Sequence, residues 1–305
     1  MLTHSVFNPV SPQALAISNL FIFIMIVSVV ILLIIVGVLA YTCTHFRYHP
    51  GQADPPQTFG LTKLEITWTV IPFMLLVIVF AATMKTVSIS APPDDNALAG
   101  RTPDLTIVAH QWWWEVRYAS GVVTANEIHI PVGKRMLVAL QSADVIHSLW
   151  VPQINGKTDS VPGQTNVVYM EADRAGTYQS ACVEYCGDGH SRMRALVIAQ
   201  PLAQYQAWER QQLATPPAPT GLAAAGAKLY QQFGCQSCHA ASIGPDLTHF
   251  GSRGTLAAVT LTNTPAHLDE WLHDPRAVKP GANMPNFQLS TGETRMLAAY
   301  LESLK

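Results

Sequence analysis

Two long apolar runs, then a stretch of short apolar segments broken by Gly and Pro, then segments with helical apolar spacing divide the chain into three parts. From Met1 to Thr42 there is no Asp, Glu, Lys or Arg, and Ile17 to Tyr41 consists largely of Ile, Val, Leu and Phe. A helix of that length crosses a bilayer. The second uncharged run, Ile66 to Met84, carries Pro72, which a membrane helix tolerates where neighbouring groups satisfy the freed carbonyl. The pattern predicts a transmembrane hairpin, with helices at about 15–42 and 64–88, inside an N-terminal segment 1–90. The connection from Cys43 to Glu65 holds Arg47 and Lys63, whereas the tail before the first run has no charge unless His4 is protonated. The positive-inside rule then places the connection in the cytoplasm and both long ends outside. Because the first run lacks a basic leader and its apolar core is longer than that of a signal peptide, a retained anchor is expected.

Beyond Met84 the residues Ala91, Pro92, Pro93, Asp94, Asp95 and Asn96 mark a turn-rich boundary. Candidate strands follow at Leu105–Ala109, Trp113–Tyr118, Glu127–Pro131, Arg135–Ser142, Val167–Glu171, Gly176–Ser180 and Met193–Ala199, spaced as in an all-β sandwich or barrel. With a polar helical stretch at Leu202–Gln212 they define a domain at 91–212. Leu213 to Gly226 reads LATPPAPTGLAAAG, so residues 213–225 are expected to be a linker. Helical spacing at Ala225–Gln232, Ala266–His273 and Gly292–Leu304 predicts a small all-α domain over 226–305. A domain of that size needs support beyond its own core.

Composition agrees with a multidomain membrane protein: 49% of the 305 residues are apolar and 12% are charged. That is about half the usual charge density of soluble proteins. The 18 basic and 20 acidic side chains leave a net charge of −2, which excludes a basic field for nucleic acid.

Four of the five cysteines form two close pairs. Cys235-Gln236-Ser237-Cys238-His239 has the spacing of covalent haem c attachment, two thiols for the vinyl groups and an imidazole for iron. Met284, in the Pro-bounded Asn283-Met284-Pro285, is a candidate second axial ligand. Met296 competes, but its helical spacing with Leu297, Tyr300 and Leu301 suits core packing. His249, His267 and His273 are assigned no iron. Cys43, at the end of the first anchor helix, is expected to be a small apolar residue without redox work.

The other pair, Cys182 and Cys186, continues to His190 and Met193, and His147 ends a short apolar segment upstream. Two thiols four positions apart can bridge two copper ions, with one histidine on each metal and weaker thioether and carbonyl donors. Two Cys and two His also make a closed zinc set, although zinc has no need of Met193. The strand pattern favours copper.

These motifs, DVIHSLWVP at 144–152, GKTD at 156–159, Pro162-Gly163 and CVEYCGDGHSRM at 182–193, resemble subunit II of haem-copper cytochrome c oxidases. The final domain, with GPDL at 244–247, NTP at 263–265 and KPGANMP at 279–285, is similar to the cytochrome c fused to subunit II in a bacterial form. The resemblance implies a cupredoxin-like fold for 91–212, in which Cys182 and Cys186 bridge the copper pair. It also implies that His147 and His190 bind one copper each, that Met193 is a weak ligand, and that Glu184 binds through its carbonyl. The Glu184 side chain with Asp159 resembles a magnesium site shared with subunit I. Trp112, in HQWWWEVRY at 110–118, matches the tryptophan where electrons enter from an external cytochrome c, or else acts as a relay from the attached haem. Glu65 matches an acid at the entrance of a proton path.

The implied function is passage of electrons from a covalent haem c to dinuclear copper and on to the haems of subunit I, for oxygen reduction coupled to proton translocation. Implied partners are subunits I and III, membrane lipids and a donor such as a cytochrome c or a quinol-oxidising complex. The implied location is the bacterial inner membrane, with the copper and haem domains on the periplasmic side. No catalytic residue is expected in this chain. Two rival readings are a subunit feeding a copper-containing nitric oxide reductase and a membrane-tethered carrier without a catalytic partner.

Overall fold

The computed structural model describes residues 5–54, 56–92, 98 and 100–305. His4 and the boundary residues Pro93, Asp94, Asp95 and Asn96 lie outside the described residues.

Leu15–Ala91 forms one compact unit. Its helices are α1 (Pro12–His45), which begins three residues earlier in the other unit, and α2 (Thr62–Ser90). They have 34 and 29 residues, and both are long and apolar enough to span a membrane. Ser11 accepts a hydrogen bond from the Ala14 N–H at 3.0 Å, and Pro12 opens α1 where a missing N–H costs nothing. Glu65 sits in the first turn of α2, where the helix dipole favours an acid. Pro72 lies inside α2 without ending it.

The residues through Ala14 and from Pro92 onward pack as the second unit. Its β part has two five-stranded sheets around one core. The first, in order β3-β2-β1-β5-β8, contains β1 (Leu105–His110), β2 (Trp113–Tyr118), β3 (Val123–Ala125), β5 (Met136–Ser142) and β8 (Asn166–Met170). The second, in order β4-β10-β9-β6-β7, contains β4 (Glu127–Pro131), β6 (His147–Trp150), β7 (Thr158–Ser160), β9 (Gly176–Cys182) and β10 (Arg194–Gln200). Pairs β1/β5 and β4/β10 are parallel, and the other ladders antiparallel. Trp114, Ile107, Ile130, Leu140, Leu149 and Met170 fill the shared core. Helix α3 (Leu202–Leu213) closes on β4 and β10, where Trp208 stacks on His129 at 4.0 Å.

A strap of N-terminal residues belongs to this same unit. The Val10 N–H donates to the Gln153 carbonyl at 2.8 Å, the Asp173 N–H to the Val10 carbonyl at 2.7 Å, and the Ser11 hydroxyl to the Ile154 carbonyl. Gln153 and Arg174 side chains also donate to Asn8. The tail therefore packs on the β domain.

The last part comprises α4 (Gly221–Gln232), α5 (Gln236–His239), the ribbon β11 (Thr255–Leu256) and β12 (Leu261–Thr262), α6 (Pro265–His273), α7 (Pro275–Val278) and α8 (Thr291–Ser303). Thr264 caps α6, Asp274 caps α7, and Ser290 with Glu293 makes a reciprocal capping box on α8. Leu268, Leu272, Leu297 and Leu301 form its core. The expectation of a linker to residue 225 is corrected here. Helix α4 starts at Gly221 with Thr220 as N-cap residue, because Leu222-Ala223-Ala224-Ala225 favours helix once the Pro-rich run ends.

Candidate functional site

The hairpin of β9 and β10 carries the sulfur-rich loop. Cys182 ends β9, a 3-10 turn spans His190–Arg192, and the Cys182 N–H closes the loop onto the Met193 carbonyl at 3.0 Å. Strand β6 runs beside β9 with Leu149 opposite Cys182, which brings His147 to the same end of the sheet. The two thiol sulfurs are 3.8 Å apart. His147 Nδ1 lies 3.9 Å from Cys182 Sγ, and His190 Nδ1 lies 3.5 Å from Cys186 Sγ. Met193 Sδ is 3.9 Å from Cys186 Sγ, and the Glu184 carbonyl oxygen is 3.3 Å from Cys182 Sγ. The donors thus divide into two groups around a central pair of sulfurs, which suits two soft metal ions better than one tetrahedral zinc. Burial, followed by the neighbouring Cys182, pushes the Cys186 thiol pKa up, a shift that a bound cation would oppose. His147, Cys182 and Cys186 form a buried ligand group that fits a copper site.

Asp144 orients this site, a role not visible in the sequence motif alone. Its Oδ1 accepts from His147 Nε2–H at 2.7 Å, leaving Nδ1 free for metal, while its Oδ2 accepts from the Gln111 N–H at 2.6 Å. Burial lowers the His147 pKa by more than Asp144 raises it, which keeps the ring in its neutral ligand form. Asp144→Asn is expected to weaken copper binding about 10–100-fold in chelator competition, with the covalent haem unchanged.

The aromatic segment lies against the loop. Trp112 Nε1–H and Gln111 Nε2–H donate to the Cys186 carbonyl at 3.0 and 2.7 Å. Gly189 permits this approach, since a Cβ there would stand 2.5 Å from the Trp112 ring. Nearby, His110 stacks on Trp113 at 4.3 Å and bonds Glu115, which also takes two hydrogen bonds from Arg117. Burial works to raise the Glu115 pKa, but these partners outweigh it and hold the carboxylate below its usual range.

The second centre is a cavity of about 330 Å³ lined by Cys235, Cys238, His239 and Met284. His239 Nδ1–H donates to the Pro245 carbonyl at 2.7 Å, which directs Nε2 away from that bond as a metal ligand. Phe233, Leu247, Phe250 and Trp271 supply an apolar wall, and Arg253 lines the cavity with an Nε–H that has no partner among the described residues. This combination fits a large apolar macrocycle with anionic substituents. Met296 instead lies at the contact of α8 with α4, where its carbonyl faces Gly226. The aromatic segment of the β domain forms part of the cavity wall, through Gln111, Trp112 and Trp113.

Two anchors cross between the β and α domains. Lys279 Nζ, on a side chain only 5% exposed, donates to the Trp112 carbonyl at 2.5 Å, and burial lowers its pKa to about 7. In the opposite direction Glu127, 3% exposed, accepts from the Thr255 N–H at 2.8 Å, the Thr255 hydroxyl at 2.6 Å and the Gly254 N–H at 3.2 Å. Asn283 adds a bond to the Gln111 carbonyl at 2.9 Å, and Arg192 one to the Val278 carbonyl at 2.8 Å. Glu127, Lys279 and Arg253 have no sequence signal that marks these contacts.

Lys157 Nζ stands 3.5 Å from Asp159 Oδ1 and 3.7 Å from Glu184 Oε2, so the two acids expected to share magnesium face a common cation. Glu65 lies in the other compact unit, exposed at the start of α2.

Comparison with known proteins agrees with this organisation. Residues 5–85 match the transmembrane domain of cytochrome c oxidase subunit II, 119–200 its periplasmic domain, and 223–305 cytochrome c. The chain is 35% identical over 308 residues to cytochrome c oxidase subunit 2 of Alkalihalophilus pseudofirmus, covering 98% of this chain and 90% of the relative. It is 31% identical over 275 residues to cytochrome c oxidase subunit 2 of Bacillus subtilis, covering 82% of this chain and 77% of the relative. The subunit of the same name from Bacillus sp. (strain PS3) is 31% identical over 285 residues, with coverages of 85% and 80%.

Proposed function

The chain belongs to the cytochrome c oxidase subunit II family, with a cytochrome c domain fused at its C-terminal end, and from that premise we propose how its residues hold and connect the redox groups. Its role is that of the oxidoreductase subunit through which electrons enter the oxidase. It is a membrane protein with its soluble part on the outer side, and it associates with other oxidase subunits. Relatives named as oxidase subunits span nearly the whole chain, so neither the nitric oxide reductase nor the free-carrier reading is favoured.

When bound, a covalent haem c and a pair of copper ions supply one-electron chemistry. Cys235 and Cys238 would attach the haem, and His239 and Met284 would hold its iron. Cys182, Cys186, His147 and His190 would hold the copper pair, with Met193 and the Glu184 carbonyl as weaker donors. Burial of His147, Cys182, Cys186 and Met193 keeps water from these donors, and Asp144 fixes the His147 ring. Trp112 spans the space between the haem cavity and Cys186, which supports a relay role. Glu184 and Asp159 would offer carboxylates to a magnesium ion shared with subunit I, and Glu65 would receive protons at the start of α2. The domain division, 91–212 for copper and the C-terminal helices for haem, follows the same assignment.

We place the protein in a bacterial inner membrane, with subunits I and III as partners and a reduced cytochrome c or a quinol-oxidising complex as donor. The observation that carries this reading is the buried donor set around two sulfurs 3.8 Å apart. The complex should be isolated through a tag on this chain. Expected are two copper ions and one covalent haem per chain, a copurifying polytopic subunit, and oxygen uptake with a reduced donor. Zinc in place of copper, or nitric oxide turnover without oxygen uptake, would overturn the reading.

A further inference from the structure

The cytochrome domain of a fused carrier faces a choice: it swings on its tether between donor and acceptor, or it stays docked. The 214–220 segment between α3 and α4 is largely exposed and Pro-rich. By itself such a tether would hold the domain loosely. The contacts on either side of it favour the docked alternative.

Lys279 leaves the haem domain and places its ammonium on the Trp112 carbonyl, while Glu127 leaves the copper domain and places its carboxylate on Gly254 and Thr255. Both side chains are almost wholly buried, at 5% and 3% exposure. Burying two charges costs solvation, and only an arrangement that gives both their hydrogen-bond partners offsets that cost, so the pair selects this one arrangement and disfavours other packings of the two domains. The contact is also sterically close, since a Cβ on Gly281 would stand 3.0 Å from the Gly189 nitrogen of the sulfur loop. Trp112 is held from both sides, its carbonyl by Lys279 and its indole N–H by the Cys186 carbonyl, and it is 9% exposed.

We propose that Lys279 and Glu127 are positioning residues that clamp the haem domain onto the copper domain in one fixed arrangement, with Trp112 enclosed between the haem cavity and the copper loop. External donors then deliver electrons to the haem domain and never touch Trp112. The tether sets chain connectivity, and the clamp sets the geometry of electron passage. This rests on the assignment of haem to the Cys235–His239 segment and copper to the Cys182–Met193 loop.

The test uses the whole complex with a protease site inserted within 214–220. Covalent haem staining and the copper EPR signal, recorded before cleavage, check the functional assignment separately. Their absence from the unsubstituted protein would sink that assignment, whereas fragment retention reads the clamp. After cleavage the unsubstituted haem fragment is expected to stay bound through gel filtration. In the Lys279→Met/Glu127→Gln double variant it should dissociate at least about 100-fold faster, and in Thr255→Val about tenfold faster. Thr255→Val removes one hydroxyl and decides the matter if the double variant fails to fold. In the uncut double variant, kcat should fall about tenfold with KM for reduced donor unchanged, because the donor surface is intact while internal passage slows. Immediate loss of the unsubstituted fragment on cleavage, or equal retention by the variants, would overturn the clamp.

Discussion

Cys186→Ser is expected to abolish the dinuclear copper EPR signal and leave at most one copper per chain, while the covalent haem is retained. Cys186 is the hub of its site: its sulfur lies within 4 Å of Cys182 Sγ, His190 Nδ1 and Met193 Sδ. A serine oxygen is a hard donor and does not ionise as a thiol does, so it cannot share two soft ions. The haem thiols, Cys235 and Cys238, belong to another domain and should react as before. Metal analysis and EPR of the tagged complex check this outcome. A normal dinuclear spectrum in the variant would refute the bridging assignment.

Gly226→Ala should destabilise the haem domain by about 3 kcal/mol, toward the upper end for an overpacked contact. A Cβ at this position would stand 1.9 Å from the Met296 carbonyl oxygen and 2.8 Å from Tyr300 Cβ. Backbone cannot rotate aside as a side chain can, so α4 and α8 must separate. That pair is the main helix contact of the domain, and both Leu229 on α4 and Leu297 on α8 belong to its core. Thermal unfolding followed by haem absorption should shift to lower temperature, while loss of the copper signal on heating should keep its midpoint. A haem transition unchanged by the substitution would mean that the two helices are not held at this distance.

Much of the fold was legible because its signals are local. Short apolar segments located β1, β2 and β4 to within a residue or so, and helical apolar spacing placed α8 to within a residue at each end. Strands β3, β6 and β7 were missed because three or four residues show no period, and β6 contains His147. The four-residue helices α5 and α7 escaped for the same reason. Both candidate ligand sets could be drawn up from the sequence since most of each lies in one short loop, with one distant histidine and one distant methionine added. The positioning groups were hidden by distance along the chain: Lys279 meets Trp112 across 167 positions, and Glu127 meets Thr255 across 128. Asp144 was in view beside His147, but only the tertiary contact reveals which ring nitrogen it occupies.

The strap at Asn8–Ser11 has a consequence for biogenesis. Its partners, Gln153, Ile154 and Asp173, are synthesised only after both apolar helices, and the Ser11 contact spans 143 positions. The strap residues are therefore made before their partners and stay without them until the sandwich has folded. Closure of so distant a pairing is a late folding event. A bulky fusion placed ahead of the strap would burden that event, whereas one attached after Lys305 leaves it free.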